Sequence, residues 1–232
     1  MRVGVLTGGG DCPGLNAVIR AVTKSLIGQG GCEVVGIADG FEGLMGDAPR
    51  VKPLGWEQVS GIVHTGGTIL GTSNSANPLK DAATVAQVKA NVQALGLEVV
   101  VSIGGDGTQS LANALAQAVG MQCVGVPKTI DNDIANCERS FGFDTAVATA
   151  TDAMRRIEST AYSHHRVMIV ETMGRNAGWH WRPALPGRPM SSCCRRSTST
   201  CRRSLMFAVH ASSASVTPSS ALVKVPKSAI MR

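Results

Sequence analysis

The residues best suited to chemistry fall in two short clusters. Gly104-Gly105-Asp106-Gly107-Thr108 follows the apolar run Val99-Val100-Val101-Ser102-Ile103, and Pro127-Lys128-Thr129-Ile130-Asp131-Asn132-Asp133 follows Cys123-Val124-Gly125-Val126. Each sits where a buried parallel strand would end, and in an open α/β sheet ligands bind at the carboxyl ends of the strands. Glycines there let backbone N–H groups approach a phosphate, and a carboxylate can hold Mg²⁺ or take a proton. This pattern serves phosphoryl transfer. A third cluster, Gly8-Gly9-Gly10-Asp11-Cys12-Pro13-Gly14, has the form of a phosphate loop after an apolar strand. Taken alone, three glycines after a strand make only a tight turn.

The elements that must position these clusters alternate. Arg2–Thr7 reads as a strand, and a helix follows from about Asn16 with Ala17, Val18, Ala21, Val22 and Leu26 on one face. Glu33–Ile37 is the next strand. Asp81–Leu95 reads as a helix, with Val85, Val88, Val92 and Leu95 three or four apart. Then come the strand Val99–Ile103, a helix Gln109–Val119, the strand Gln122–Val126, an alanine-rich helix Asp144–Thr160 and the strand Arg166–Glu171. Strands alternating with helices predict βαβ units and parallel or mixed sheets sandwiched by helices, an α/β fold.

Composition narrows the class. The chain of 232 residues carries a net charge of +6, but its 16 acidic residues all precede residue 180, while 9 of its 22 basic residues follow it. The basic excess belongs to one segment, so it argues neither for a nucleic-acid partner nor for an anionic membrane acting on the folded part. No apolar run approaches the roughly 18–20 residues that span a bilayer. The first residues form a strand rather than a signal peptide, so a cytoplasmic enzyme is expected. The seven cysteines are scattered and lack zinc-type spacing.

In order along the chain, Thr7–Asn16, Ala38-Asp39-Gly40-Phe41-Glu42-Gly43-Leu44, Gly66–Ser73, Gly104–Thr108, Pro127–Asp133 and Met173-Gly174-Arg175-Asn176-Ala177-Gly178 resemble the phosphofructokinase family. Diacylglycerol and NAD kinases also resemble the Gly-Gly-Asp-Gly-Thr block, but that comparison leaves Pro127–Asp133 without a role. The resemblance covers residues 1–179. It implies a donor-binding domain over 1–138, the start of a sugar-phosphate domain over 139–179, and an incomplete second domain. It further implies Mg²⁺-dependent transfer from ATP, or alternatively pyrophosphate, to the 1-hydroxyl of fructose 6-phosphate, the glycolytic reaction.

By the same resemblance, Asp131 is the general base, Thr129 helps hold the sugar, Asp133 binds on the substrate side in support of the base or the transferring group, and Asp106 binds Mg²⁺. Gly9, Gly10, Gly105, Gly107, Thr108 and Lys128 surround the donor phosphates, with Phe41, Asn74 and Ser75 nearby. Met173, Gly174 and Arg175 meet the sugar phosphate or the transferring group. Arg166 reaches a neighbouring subunit's site in a homo-oligomer, a dimer or tetramer. Gly107 leaves room for ATP, where an Asp would suit pyrophosphate; Lys128 points the other way, because pyrophosphate-using members resemble this chain in Pro-Lys-Thr. The family usually places an arginine where this chain has Asn74 and Ser75, which leaves neutralisation to Lys128 or Arg175.

After Trp179 the alternation stops, and residues 180–232 show no sustained helical or strand period. A basic tail could bind nucleic acid, but the genetic code offers another account. If the true frame starts at the third base of each codon, Met190–Ser191 must encode Val or Glu, and Cys193–Cys194 permits Leu. Residues 180–198 then permit "LAAGIAGAADVILLPEI", and residues 216–228 permit "HAIVGAGEGAKV". Both resemble family segments; the first is similar to the continuation "IALHAGIAGGADVILIPEIPF". The expectation is a frameshift near codons 179–181, with 180–232 an aberrant tail and the chain itself inactive and poorly stable.

Overall fold

The computed structural model describes residues 1–173, 192–193, 205–209 and 220–224. Gly174, Arg175 and most of the tail therefore lie outside the described residues. The chain forms two compact units, Met1–Thr129 with Ile134–Gly142, and Ile130–Asp133 with Phe143–Arg232.

In the first unit, β1 (Arg2–Thr7), β2 (Glu33–Ile37), β3 (Val51–Pro53), β4 (Val99–Gly104) and β5 (Gln122–Pro127) form one sheet in the order β3-β2-β1-β4-β5. β1 pairs in parallel with β2 and β4, and β4 with β5. β3 runs antiparallel to β2. It was not legible in sequence because three residues are too few to show a period, and its Pro53 suits an edge position.

Helices α1 (Leu15–Gly30), α2 (Ala82–Ala94) and α3 (Asp106–Val119) complete the unit. Asp81 caps α2 by accepting the Thr84 N–H at 2.7 Å. On one face of the sheet, Leu6, Val35, Ile37 and Val100 pack with Val88 and Val92 of α2 and Ala112, Leu115 and Val119 of α3. Strand alternation sends Val3, Val5 and Val101 to the other face, and α1 packs on β2.

Two sequence expectations need correction. The buried face of α1 is Leu15, Asn16, Val18, Ile19 and Thr23, whereas Ala21 is exposed. The row Leu15–Ile19–Thr23 has a strict four-residue step, and Thr23 disguised it as polar. Helix α3 also begins at Asp106 rather than Gln109. Gly105 is its extended N-cap, and Asp106 in the first turn complements the helix dipole. The Gly-Asp-Gly-Thr cluster is thus the start of a helix and not a loop preceding one.

In the second unit, α4 (Phe143–Ser163) packs on β6 (Val167–Thr172). Phe143, Ala146, Val147, Ala150 and Met154 form its buried face at helical spacing. Short strands β7 (Ser192–Cys193), β8 (Leu205–Val209) and β9 (Ser220–Lys224) join it in the order β7-β8-β6-β9. β8 is antiparallel and β9 parallel to β6. These strands depart from the expectation of no regular structure after residue 179. β8 and β9 have five residues each and β7 two, too short to reveal themselves among serines and arginines.

Candidate functional site

The strand order contains the reason for the site. From β1 the chain passes through α1 to β2 on one side, while β4 pairs on the other side of β1. The carboxyl ends of β1 and β4 therefore flank a topological switch point, where open α/β sheets hold their ligands. The Gly8–Gly10 loop leaves β1 there, and Gly104–Thr108 leaves β4. The Gly8 N–H donates to the Ile103 carbonyl at 2.9 Å, and the Lys128 N–H donates to the Gly104 carbonyl at 3.0 Å. All three strand ends are stitched side by side.

A cavity of about 480 Å³ opens above them. Gly8, Gly9, Gly10, Phe41, Ser73, Asn74, Ala76, Gly105, Gly107, Thr108, Leu111, Lys128 and Thr129 line it. The expected donor-site residues Gly9, Gly10, Phe41, Asn74, Gly105, Gly107, Thr108 and Lys128 are thus brought together, with Thr129, expected on the sugar side, beside them. Ser75 is not among the lining residues. Its N–H donates to the Ser73 hydroxyl at 3.4 Å, and the turn this makes leaves Ser73 on the cavity wall.

The glycines divide by task. A Cβ on Gly10 or Gly107 would meet nothing within 4 Å, so both positions face open space. A Cβ on Gly8 or Gly104 would lie 2.5 Å from the side chain of Thr108. Thr108 is buried and wedged between the ends of β1 and β4, and those two glycines make room for it. Gly9 has φ of +80°, a conformation that favours glycine. At the α3 N-terminus the first-turn N–H groups lack partners within the helix, which makes them fit for an anion.

Lys128 is the cation of this cavity. Its side chain is 5 % exposed, and Nζ donates to the Gly10 carbonyl at 2.5 Å. Burial pulls the ammonium below the ordinary lysine range, and the nearby Cys12 and Asp11 offset part of that. A bound polyphosphate would favour the charged form further. Anion affinity is therefore expected to fall as pH rises through the lowered value, starting below the ordinary 10.5. Calorimetric titration with pyrophosphate across alkaline pH checks this. Lys128→Met is expected to weaken binding at neutral pH and to flatten that profile.

Gln109 was missed by sequence reasoning. Its side-chain amide donates to the carbonyls of Ser102 and Gly104, at 3.1 Å each, and of Val126, at 3.0 Å. It ties the ends of β4 and β5 together, a task that its sequence position does not announce. The other expected residues that the structure describes are not among the lining residues. Asp131 and Asp133 sit in the Ile130–Asp133 loop, which groups with the second unit, and Asn132 there has φ of +50°. Arg166 is exposed just before β6, and Met173 is exposed just after it. Asp106 is exposed on the first turn of α3, between the cavity-lining Gly105 and Gly107. Among the described residues no group of three or more His, Cys, Asp or Glu could hold a metal, and no helix is long and apolar enough to cross a membrane.

Comparison with known proteins agrees with this architecture. The family model for phosphofructokinase matches residues 2–181. The pyrophosphate–fructose 6-phosphate 1-phosphotransferase of Streptomyces coelicolor is 52% identical over 180 residues, covering 77% of this chain and 52% of that protein. ATP-dependent 6-phosphofructokinase 2 of the same organism is also 52% identical, covering 77% of this chain and 51% of that protein. The phosphofructokinase of Saccharomyces cerevisiae superposes with a TM-score of 0.68 at 32% identity, over 77% of this chain and 27% of that one. The chain spans about half the length of the curated relatives it matches. Matched over most of its length by the family model and by relatives at this identity, the chain belongs to the phosphofructokinase family.

Proposed function

We propose that this chain is the donor-binding portion of a 6-phosphofructokinase that transfers a phosphoryl group from ATP to the 1-hydroxyl of fructose 6-phosphate. The observation that carries the reading is the cavity at the β1/β4 switch point, with glycines and an α3 N-terminus for phosphates and the buried Lys128 for their charge. Such chemistry is mostly positioning and charge neutralisation. Asp131 takes the proton of the attacking hydroxyl as its bond to phosphorus forms. Thr129 and Asp133 hold the sugar, and Arg175 and Met173 with Gly174 complete the acceptor side. In the full-length enzyme, Arg166 serves a neighbouring subunit of a dimer or tetramer.

Mg²⁺ fits this site. It takes one or two carboxylates and fills its shell with phosphate oxygens and water, and Asp106 is an exposed carboxylate beside the phosphate-facing glycines. Bound there, the ion would neutralise charge between donor phosphates.

ATP is preferred as donor because the cavity wall includes Phe41, Ala76 and Leu111. Pyrophosphate offers only oxygen atoms to such a surface, whereas a nucleoside has apolar faces to cover it. The pyrophosphate alternative rests on Lys128, whose compact charge suits a small dense anion, and relatives of both kinds match the chain equally. Gly107→Asp separates the two. A carboxylate about 4 Å from a phosphate oxygen costs about 1–4 kcal/mol, so ATP affinity is expected to fall between roughly fivefold and several hundredfold. Calorimetry with MgATP measures it; an unchanged ATP affinity overturns the ATP reading.

A further inference from the structure

We propose that Asn16 is a positioning residue for the phosphate-donor cavity, clamping the segment Thr65–Ser73 so that its far end holds the Gly8–Gly10 loop in place. The inference rests on the donor-site reading above and assigns that site a support outside its lining.

Asn16 is the second residue of α1 and is 2 % exposed. An Asn at a helix start ordinarily bonds to its own helix backbone. Here Gly14 is the N-cap and no side chain caps the helix. The Asn16 amide is directed to a segment some fifty positions along the chain. Its Nδ2 donates to the carbonyls of Thr65 at 2.8 Å and Gly67 at 2.7 Å, and its Oδ1 accepts the Ile69 N–H at 2.9 Å. Both amide hydrogens and the carbonyl are used, so the side chain has one orientation and one possible identity. An aspartate would turn an oxygen towards two carbonyls, and a leucine would leave three backbone groups unpaired.

The clamped segment carries that constraint to the cavity. Thr68 N–H donates to Asp11 Oδ1 at 3.2 Å, and the Thr7 hydroxyl donates to the Gly71 carbonyl at 2.6 Å. One residue on, the Thr72 hydroxyl donates to the Gly9 carbonyl at 2.5 Å, and the Gly9 N–H donates to the Ser73 carbonyl at 3.3 Å. Gly9 and Ser73 both line the cavity. Gly9 is in the left-handed region with no side chain of its own, so these two bonds from Thr72 and Ser73 set its peptide orientation. Apart from the short 3-10 turn Ile62–His64, the segment from Gly55 to Asp81 has no regular secondary structure. Its shape rests on these side-chain hydrogen bonds together with scattered backbone ones, such as the Asp39 N–H to the Leu70 carbonyl at 2.9 Å.

The test uses the full chain, with calorimetry of pyrophosphate and MgATP and with hydrogen exchange resolved by segment. Asn16→Asp is expected to raise exchange in residues 65–76, leave α2, α3 and β4 protected, and weaken pyrophosphate binding by roughly ten- to a hundredfold, the scale of a small misplacement of binding groups. Thr72→Val removes only the strut to Gly9, leaves Asn16 untouched, and is expected to weaken binding in the same direction. A purely structural role would raise exchange throughout the unit while the folded fraction kept its affinity, and that result overturns the proposal. If Asn16→Asp fails to fold, unchanged affinity in Thr72→Val overturns it. If the unsubstituted chain binds neither anion, the donor-site reading fails. The exchange comparison then decides the clamp by itself, because unchanged exchange in residues 65–76 refutes it.

Discussion

Inserting one base near codon 179 is expected to turn an inactive polypeptide into a working phosphofructokinase. The third-base frame is the one a single inserted base restores, and it permits two family-like strings within the stretch where acidic residues vanish. The family match ends at residue 181, close to the point where the sequence grammar stops. The chain as it stands spans about half of its curated relatives, and among the described residues one long helix, α4, packs against its second sheet. In a coupled assay with fructose 6-phosphate, the present chain should give no turnover above background. The frame-restored and extended chain should reach roughly 1–100 s⁻¹, the usual range for kinases. Reading the bases across codons 175–232 from independent clones comes first. If no third-base frame yields "LAAGIAGAADVILLPEI", the frameshift account fails, and steady turnover by the present chain refutes its inactivity.

The second large effect concerns Asp131. In the frame-restored enzyme, Asp131→Asn removes the group proposed to accept the hydroxyl proton while keeping the side chain's size. General-base catalysis contributes about 10²–10⁴-fold, so kcat is expected to fall by that factor with little change in KM for either substrate. Pre-steady-state measurement of the chemical step separates this from slow product release. A loss confined to KM would make Asp131 a binding residue and leave the base unidentified. Asp106→Asn would instead be expected to raise the Mg²⁺ concentration needed for half-maximal rate, a different signature from the same residue type.

Much of this site was legible in the chain because phosphate chemistry makes local demands. A loop that must bring backbone N–H groups against an anion needs glycine, and it needs a strand before it and a helix after it; all three leave marks in a short window. The clusters at Gly8–Gly14, Gly104–Thr108 and Pro127–Asp133 could therefore be read without a structure. The apolar period of α2 was equally plain, because the face that carries Val88 and Val92 is buried. That Ser73 rather than Ser75 lines the cavity was not legible, because a one-residue difference within a turn decides which hydroxyl faces it.

Sequence by itself determined the α/β class, the family and the glycine-rich clusters at the strand ends, since each follows from local pattern or from the order of motifs. Only the tertiary structure decided that β1 lies between β2 and β4, which puts the first and second glycine clusters across one cavity from each other. Strand order is set by which helix crossings bury the most apolar surface, and no single segment encodes it. The same holds for Thr108 wedged between Gly8 and Gly104, for Gln109 tying β4 to β5, and for Asn16 reaching Ile69. Each joins groups that are close in space and unrelated by spacing in the chain. A buried amide reveals its purpose only when the backbone groups it must satisfy are in view.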